Sequence, residues 1–492
     1  MDAERMPVLV GVGQVNDRPA DPAEGLSSVA LMAEALRRAD ADAGGGWLAR
    51  ADRLAAVRQI SMPDLHPAAA RVADMLGLAG IATEETASAS GDSPIRLLDE
   101  AADAIAAGSA RIVAITGGEA LRTAAAHARA AGAEANAMRA LTTRREPTYH
   151  QSYGLTAPVD VYPLYENACR AAWGQSLAEA QAESGAIWSR FSEVAAGNDS
   201  AWLRKPLPPE AITTPDANNR PIAFPYSKLM VANSSVNLGA GFLVTSLAEA
   251  RRAGVPEHRL VHVGLGAAAA ETDDILLRDR YDASASMAAA LEATMAANSV
   301  TAADLNHAEL YSCFPCVPKM ARRVIGWPAE RPATVFGGLT FGGGPIANYM
   351  SHAVAEMVRR LRDEPGKGLL FANGGYATHN HAIIIGSEPL PGRRPHNPDV
   401  QADAEARRRL VPPLDRDYAG PATIESYTVF YDRAGEPVRG VVVARTRAGA
   451  RTLATVPADD GAMIAWLTGG AAEPVGEAGT IARDGALSRW HG

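Results

Sequence analysis

Apolar and polar positions along this chain fall into blocks that recur. Pro7 to Val15 is a β-branched, apolar run broken by glycines. Arg259 to Ala267 has the same character, and Leu260 lies 252 positions after Val8. Ile95, Leu98, Ala102 and Ile105 repeat every three or four residues, with Gly108 as a stop signal, which predicts a helix opened by Pro94. Ile346, Met350, Val354, Met357 and Leu361 keep the same period behind Pro345, which lies 251 positions after Pro94. A third pair, Arg111 to Gly118 and Gly368 to Gly375, is an apolar run ending in Gly-Gly, and Leu369 lies 257 positions after Ile112. Runs of this kind without alternation suit strands covered on both faces. Three elements in one order at a nearly constant offset predict a duplicated α/β fold.

The pattern divides the chain into a first half, 1–120, a polar excursion, 121–223, and a second half, 224–390. The excursion carries a helical segment, Tyr165 to Ser184, and a proline-rich run, Pro206 to Pro209, and suits substrate-shaping structure. Pro391, Pro395, Pro398 and a charged helix near Ala402 to Arg409 mark a linker, 391–415. In the remainder, 416–492, Thr423 to Tyr431 alternates, Asp432 to Gly435 turns, and Val438 to Arg445 forms a second strand, predicting a small antiparallel β-domain.

Composition narrows the function. The chain has 492 residues, 47% apolar and 21% charged, which excludes collagen, low-complexity disorder and a disulfide scaffold. The net charge of −9 and 5% aromatic content argue against nucleic-acid binding, although Arg439, Arg445, Arg447 and Arg451 cluster in the last domain. Cys169, Cys313 and Cys316 are too few for a disulfide framework or a four-cysteine zinc site, so no metal is expected. Met6-Pro7-Val8-Leu9-Val10 reads as a strand and not a signal peptide, and no apolar run reaches the ~18 residues that span a bilayer. A soluble cytoplasmic protein without a membrane partner is expected.

Common motifs fail. Gly11-Val-Gly13-Gln-Val-Asn16 lacks the third glycine of a dinucleotide site, and Gly342-Gly343-Gly344 is not followed by Lys-Ser or Lys-Thr. In a parallel sheet, ligands gather at strand carboxyl ends and helix amino ends. Four segments converge there: Ser90 to Pro94, Glu309 to Cys316, Gly337 to Pro345, and Ala372 to His381.

These segments resemble the thiolase superfamily. Asn306-His-Ala-Glu-Leu-Tyr-Ser-Cys-Phe-Pro315 is similar to the Asn-Glu-Ala-Phe box, or His-Asp-Cys-Phe in sterol-carrier-protein thiolases. Gly337 to Pro345 resembles the Gly-His-Pro segment, Ala372-Asn-Gly-Gly-Tyr376 the Cys-x-Gly segment, and Ala232-Asn-Ser234 the stretch beside the pantetheine of coenzyme A. The resemblance covers Pro7 to Pro389 and is strongest to thiolase-like proteins labelled acetyl-CoA acetyltransferases, whose extra C-terminal domain resembles the OB-like region here. It implies a layered α/β/α/β/α thiolase fold and an acyl-CoA thioester as substrate or ligand, with no covalently bound cofactor. It also implies a homodimer, with a monomer open because of the added domain.

The departures matter for chemistry. The nucleophilic cysteine position falls at Gly91, the Gly-His-Pro histidine at Gly344 and the second cysteine at Ala372. Without nucleophile and base the covalent route is lost, and ordinary thiolysis is not expected. Tyr311, Cys313, Tyr376, His379, Asn380 and His381 are the candidate catalytic residues, since a phenol or imidazole can move a proton. Ser234, Gly91, Asp92, Gly343, Gly344, Asn373 and Gly374 are the candidate thioester contacts. Tyrosine-dependent retro-aldol cleavage of a β-hydroxyacyl-CoA and non-catalytic thioester binding are the alternatives. Each residue also has a structural reading: Asp92 and Ser93 as helix caps, Cys313 as a small buried hydrophobe, and His379 and His381 as exposed imidazoles sharing one strand face.

Overall fold

The apolar runs form strands and the periodic segments form helices, arranged as two copies of one plan. The computed structural model describes residues 2–132, 146–391, 394 and 397–492. Pro395 and residues 133–145 of the expected excursion lie outside the described residues. The first half carries β1 (Pro7–Asn16), β2 (Arg53–Ala56), β3 (Ala82–Glu85) and β4 (Ile112–Ala120). A hairpin, β5 (Pro221–Ala223) and β6 (Tyr226–Ser227), closes the excursion. Then follow β7 (Asn237–Ser246), β8 (Val261–Ala270), β9 (His307–Leu310), β10 (Lys367–Gly374) and β11 (His379–Gly386).

One sheet runs β3-β2-β4-β7-β1-β8-β11-β10-β9. Read outward from the β1–β8 seam, β1, β7, β4, β2 mirror β8, β11, β10, β9. The seam itself is short, with Val8 opposite His262 and Leu9 opposite Val261. The duplication therefore holds element by element, and among the described residues only β3 lacks a counterpart.

The helix Ser93–Ala107 is buried along most of its length, including Ile95, Leu98, Ala102 and Ile105. It packs on strands of both halves and on the helix Tyr349–Asp363. It ends at Gly108, whose φ of 72° is left-handed, the stop that the sequence indicated. Its counterpart starts at Tyr349 and not at Pro345. Pro345 opens a turn closed by the Asn348 N–H on its carbonyl (2.9 Å), because a one-turn π-helix, Gly338–Gly342, comes immediately before.

The excursion differs from its expected single helix. Pro158–Ala172 and Leu177–Ala196 are separate helices. Gly174 breaks them with a φ of 66°, and Ser176 opens the second, its hydroxyl accepting from Glu179 N (3.2 Å). Both bury aromatics, among them Tyr162, Tyr165 and Trp188, so this region is core and not only surface.

The C-terminal region holds β12 (Gly420–Tyr431), β13 (Pro437–Thr446), β14 (Arg451–Pro457), β15 (Ala478–Asp484) and β16 (Leu487–His491). The order β13-β14-β16-β15-β12, with β12 pairing back to β13, closes a small OB-like barrel. The excursion hairpin extends it, since Phe224 N donates to Val429 O (2.8 Å). Arg451 is wholly buried and Arg445 is bound to Glu425 at 2.7 Å, so two of the four clustered arginines already face inward partners. Among the described residues no helix is long and apolar enough to cross a membrane, and no group of His, Cys, Asp and Glu could hold a metal ion.

Candidate functional site

The amino end of the helix Ser93–Ala107 meets the carboxyl ends of β9 and β10 at Gly91. A Cβ on Gly91 would fall inside contact distance of the Asn373 carbonyl oxygen and 2.5 Å from the Tyr311 hydroxyl oxygen. The phenol of Tyr311 therefore occupies the space beside the helix that a side chain at 91 would need. Tyr311 is 7% exposed, and burial raises its phenol well above the usual range, so it is protonated at neutral pH. Among the described residues its hydroxyl has no hydrogen-bond partner. A helix amino end carries partial positive charge, so an unengaged O–H there can hold a carbonyl oxygen or oxyanion.

Asp92 sits at the helix N-cap, but its carboxylate accepts from the Ser90 hydroxyl and makes no cap bond to the helix. Gly374 packs on the same loop, where a Cβ would meet Asp92 Oδ1 at 2.8 Å. Asn373 is clamped: its Oδ1 accepts from Tyr162 Oη (2.9 Å) and its Nδ2 donates to Asn380 Oδ1 (3.0 Å).

The remaining candidates are partly drawn together. Cys313 lies beside Tyr162 and Tyr311, and burial pushes its thiol up to about 12, so it stays protonated. Tyr376 lies in the turn between β10 and β11, its hydroxyl donating to Thr156 O (3.0 Å) and its carbonyl accepting from Tyr165 Oη (2.6 Å). Asn380 is buried and donates to Ser286 Oγ (2.8 Å). His379 is at the surface, where its contact with Asp273 (2.9 Å) raises its pKa. His381 is not an exposed imidazole: it is buried on β11, its Nε2 on Asp99 (2.9 Å). Both histidines do share one strand face, turned toward the helix Ser93–Ala107.

Ser234 is half-buried in a segment stitched to the glycine loop. Its neighbour Asn233 donates N–H to Leu339 O (3.0 Å) and accepts from Gly344 N (2.8 Å). At Gly343, with φ 101°, a Cβ would strike Leu238 at 2.6 Å, whereas at Gly344 the nearest atom would be 3.2 Å away. Gly343 is thus required by the backbone, while at Gly344 the crowding is milder.

The sequence reading passed over Tyr162 and Glu309. Glu309 is wholly buried and accepts from Thr334 Oγ1 (2.8 Å), Tyr349 Oη (2.8 Å) and Val335 N (2.9 Å). Thr334 in turn accepts from Gly337 and Gly338 N–H, fixing the glycine loop. An acid inside the apolar strand His-Ala-Glu-Leu was the available signal. Burial pushes Glu309 up to about 7 against these donors. Between the ordinary carboxyl value and 7 the native state then binds more protons than the unfolded chain, so stability falls as pH rises. The shift corresponds to on the order of 3 kcal/mol. Thermal melts from pH 5 to 8 should show this decline, and Glu309→Gln should flatten it. An equally steep decline in the variant would place its origin elsewhere.

Duplicated halves, a helix amino end meeting the strand ends at Gly91 and an OB-like barrel define a thiolase-like protein. Residues 399–486 match the additional C-terminal domain of thiolase-like protein type 1. A monomeric SCP2-thiolase-like protein type 1 from Mycobacterium smegmatis is 31% identical, with 100% of each chain covered and a TM-score of 0.84. The chain belongs to the type 1 SCP2-thiolase-like proteins. The Ltp2–ChsH2(DUF35) aldolase shares the fold at 20% identity and TM-score 0.59, over 78% of this chain and 98% of that one. Human mitochondrial 3-ketoacyl-CoA thiolase shares it at 13% identity and TM-score 0.60, over 78% and 100%. No curated protein sequence matches the chain.

Proposed function

We propose that this protein handles acyl-CoA thioesters without forming an acyl-enzyme, the protonated Tyr311 hydroxyl donating to the thioester carbonyl. The observation that carries this is the Tyr311 phenol standing where a side chain at Gly91 would have to be. A covalent route needs an activated nucleophile there. Charge development on the carbonyl oxygen needs only a positioned donor and the helix amino end. Ser234, on the segment bonded to the glycine loop, suits the pantetheine arm, and Asn373 and Gly374, beside Gly91 and Asp92, suit contact with the thioester. The monomeric Mycobacterium smegmatis relative supports a one-chain form.

A second reading, carbon–carbon cleavage of a β-hydroxyacyl-CoA, is favoured by the same phenol and by the aldolase among the fold neighbours. Such cleavage passes through an enolate that a neutral tyrosine can stabilise. A panel of β-ketoacyl-CoA and β-hydroxyacyl-CoA thioesters tests both readings by calorimetry and product analysis. Tyr311→Phe should lower turnover about 100-fold, the usual effect of removing one oxyanion donor. Native-like binding and turnover in this variant would rule out the role given to the phenol. Aldehyde or ketone release would select cleavage, and binding without turnover would select a thioester carrier.

A further inference from the structure

A buried polar chain joins the C-terminal barrel to the Asn373–Tyr376 turn. Arg451, at the start of β14, is 0% exposed. Its Nη1 donates to the carbonyls of Leu276 (2.7 Å) and Arg278 (2.5 Å), and its Nε and Nη2 bind Glu425 at 2.8 and 2.6 Å. Arg278, also wholly buried, pairs with Glu271 at 3.2 Å and lies 5.2 Å from the Tyr165 ring centre. Glu271 Oε1 accepts from Ser284 and Ser286 Oγ, each at 2.7 Å. Ser286 accepts from Asn380, and Asn380 accepts from Asn373. A second strand of the same network runs through Tyr165 to the Tyr376 carbonyl.

We infer that Arg451 of the barrel is a positioning residue for the Asn373–Tyr376 turn, acting through Arg278, Glu271, Ser286 and Asn380. Two loop carbonyls and both oxygens of one carboxylate are held by a single guanidinium. An ammonium lacks that planar fork and cannot hold all four in this geometry. Among the described residues Nε and Nη1 of Arg278 and Oε2 of Glu271 have no hydrogen-bond partner. Beyond Glu271 the Arg278 guanidinium has one further hydrogen bond among the described residues, Nη2 to Ala283 O (3.3 Å), so its place depends on the backbone that Arg451 grips, and a shift there passes through Glu271 to Ser286 and Asn380. The C-terminal domain acquires a function in the site by this route. That consequence rests on the turn being a wall of the thioester site.

The test is hydrogen exchange by mass spectrometry on the full chain, comparing the native protein, Arg451→Lys, Ser286→Ala and the double variant. Each single variant should speed exchange in peptides covering 373–380 about tenfold. The double variant should be no faster than the faster single, because both cut one chain. Peptides in the distant helix Ser28–Asp42 should be unchanged. Faster exchange confined to the barrel and the 276–281 loop would overturn the inference, as would effects that multiply in the double variant. If Arg451→Lys loosens the whole chain, Glu425→Gln replaces it under the same criteria. Acyl-CoA affinity measured on the same variants should fall about tenfold with the exchange change. Exchange is read without ligand, so an absence of thioester binding would count against the proposed function and leave the coupling result standing.

Discussion

Replacing Gly91 with cysteine should produce no thiolysis and a less stable protein, although it puts a thiol where the thiolase resemblance would place one. The new Cβ would overlap the Asn373 carbonyl, which is backbone and cannot rotate away, and would lie 2.5 and 2.8 Å from the Tyr311 hydroxyl oxygen and ring carbon. Overpacking of this kind costs roughly 1–3 kcal/mol. The thiol would also lack a base, since Gly344 carries no imidazole and Ala372 no sulfur. Thiolysis of a β-ketoacyl-CoA, followed by loss of the substrate, should remain at the uncatalysed rate, and the urea midpoint should fall. Adding Tyr311→Ala should recover only part of the stability, because the carbonyl overlap persists. Appreciable thiolysis by Gly91→Cys alone would show that the site is vacant for a nucleophile and not refilled.

Asp99→Ala should be the most destabilising single change in the helix beneath the site, costing about 3–5 kcal/mol as a broken buried ion pair. Asp99 gathers the Arg394 guanidinium, the Asn397 amide (3.1 Å) and His381 Nε2 (2.9 Å). Burial works against its charge, but Arg394 and His381 outweigh this and hold the carboxyl down to about 2. Its contribution is therefore complete at neutral pH and is lost only as pH falls below the ordinary carboxyl range toward 2. Alanine would leave Arg394, with its side chain 3% exposed, with one carboxylate partner among the described residues, Asp103, and the backbone carbonyls of residues 99 and 264. Urea unfolding should show the loss, and Asp99→Asn should be milder because its amide oxygen still accepts. A change under 1 kcal/mol would mean that the Asp99–Arg394 ion pair contributes little to stability.

The fold was legible because its signals are local and occur twice. The apolar runs at Val8 and Leu260 and the periodic helices behind Pro94 and Pro345 each pointed to the same plan. Errors fell where one residue overrides a period. Gly174 with φ 66° splits a continuous helical pattern, and the π-turn at Gly338–Gly342 delays a helix beyond its proline. The site was legible by position and not by arrangement. Gly91 and Tyr311 were both visible, yet their mutual exclusion depends on the distance between segments 220 positions apart in the chain. Side-chain type alone does not show that His381 is held by Asp99 and Asn380 by Ser286.

The hairpin that the excursion lends to the barrel has a topological outcome. A cut at Leu410, whose side chain is 96% exposed, would sever the only covalent tie between the last domain and what precedes it. The pieces should stay associated, since the larger one keeps its hairpin β5–β6 on the edge of the smaller one's sheet and the smaller one keeps Arg451 on the Leu276 and Arg278 carbonyls of the larger. The barrel is therefore tied to the body of the molecule by an edge strand and by a buried guanidinium, and its departure would leave β5 and the Leu276 and Arg278 carbonyls without these partners.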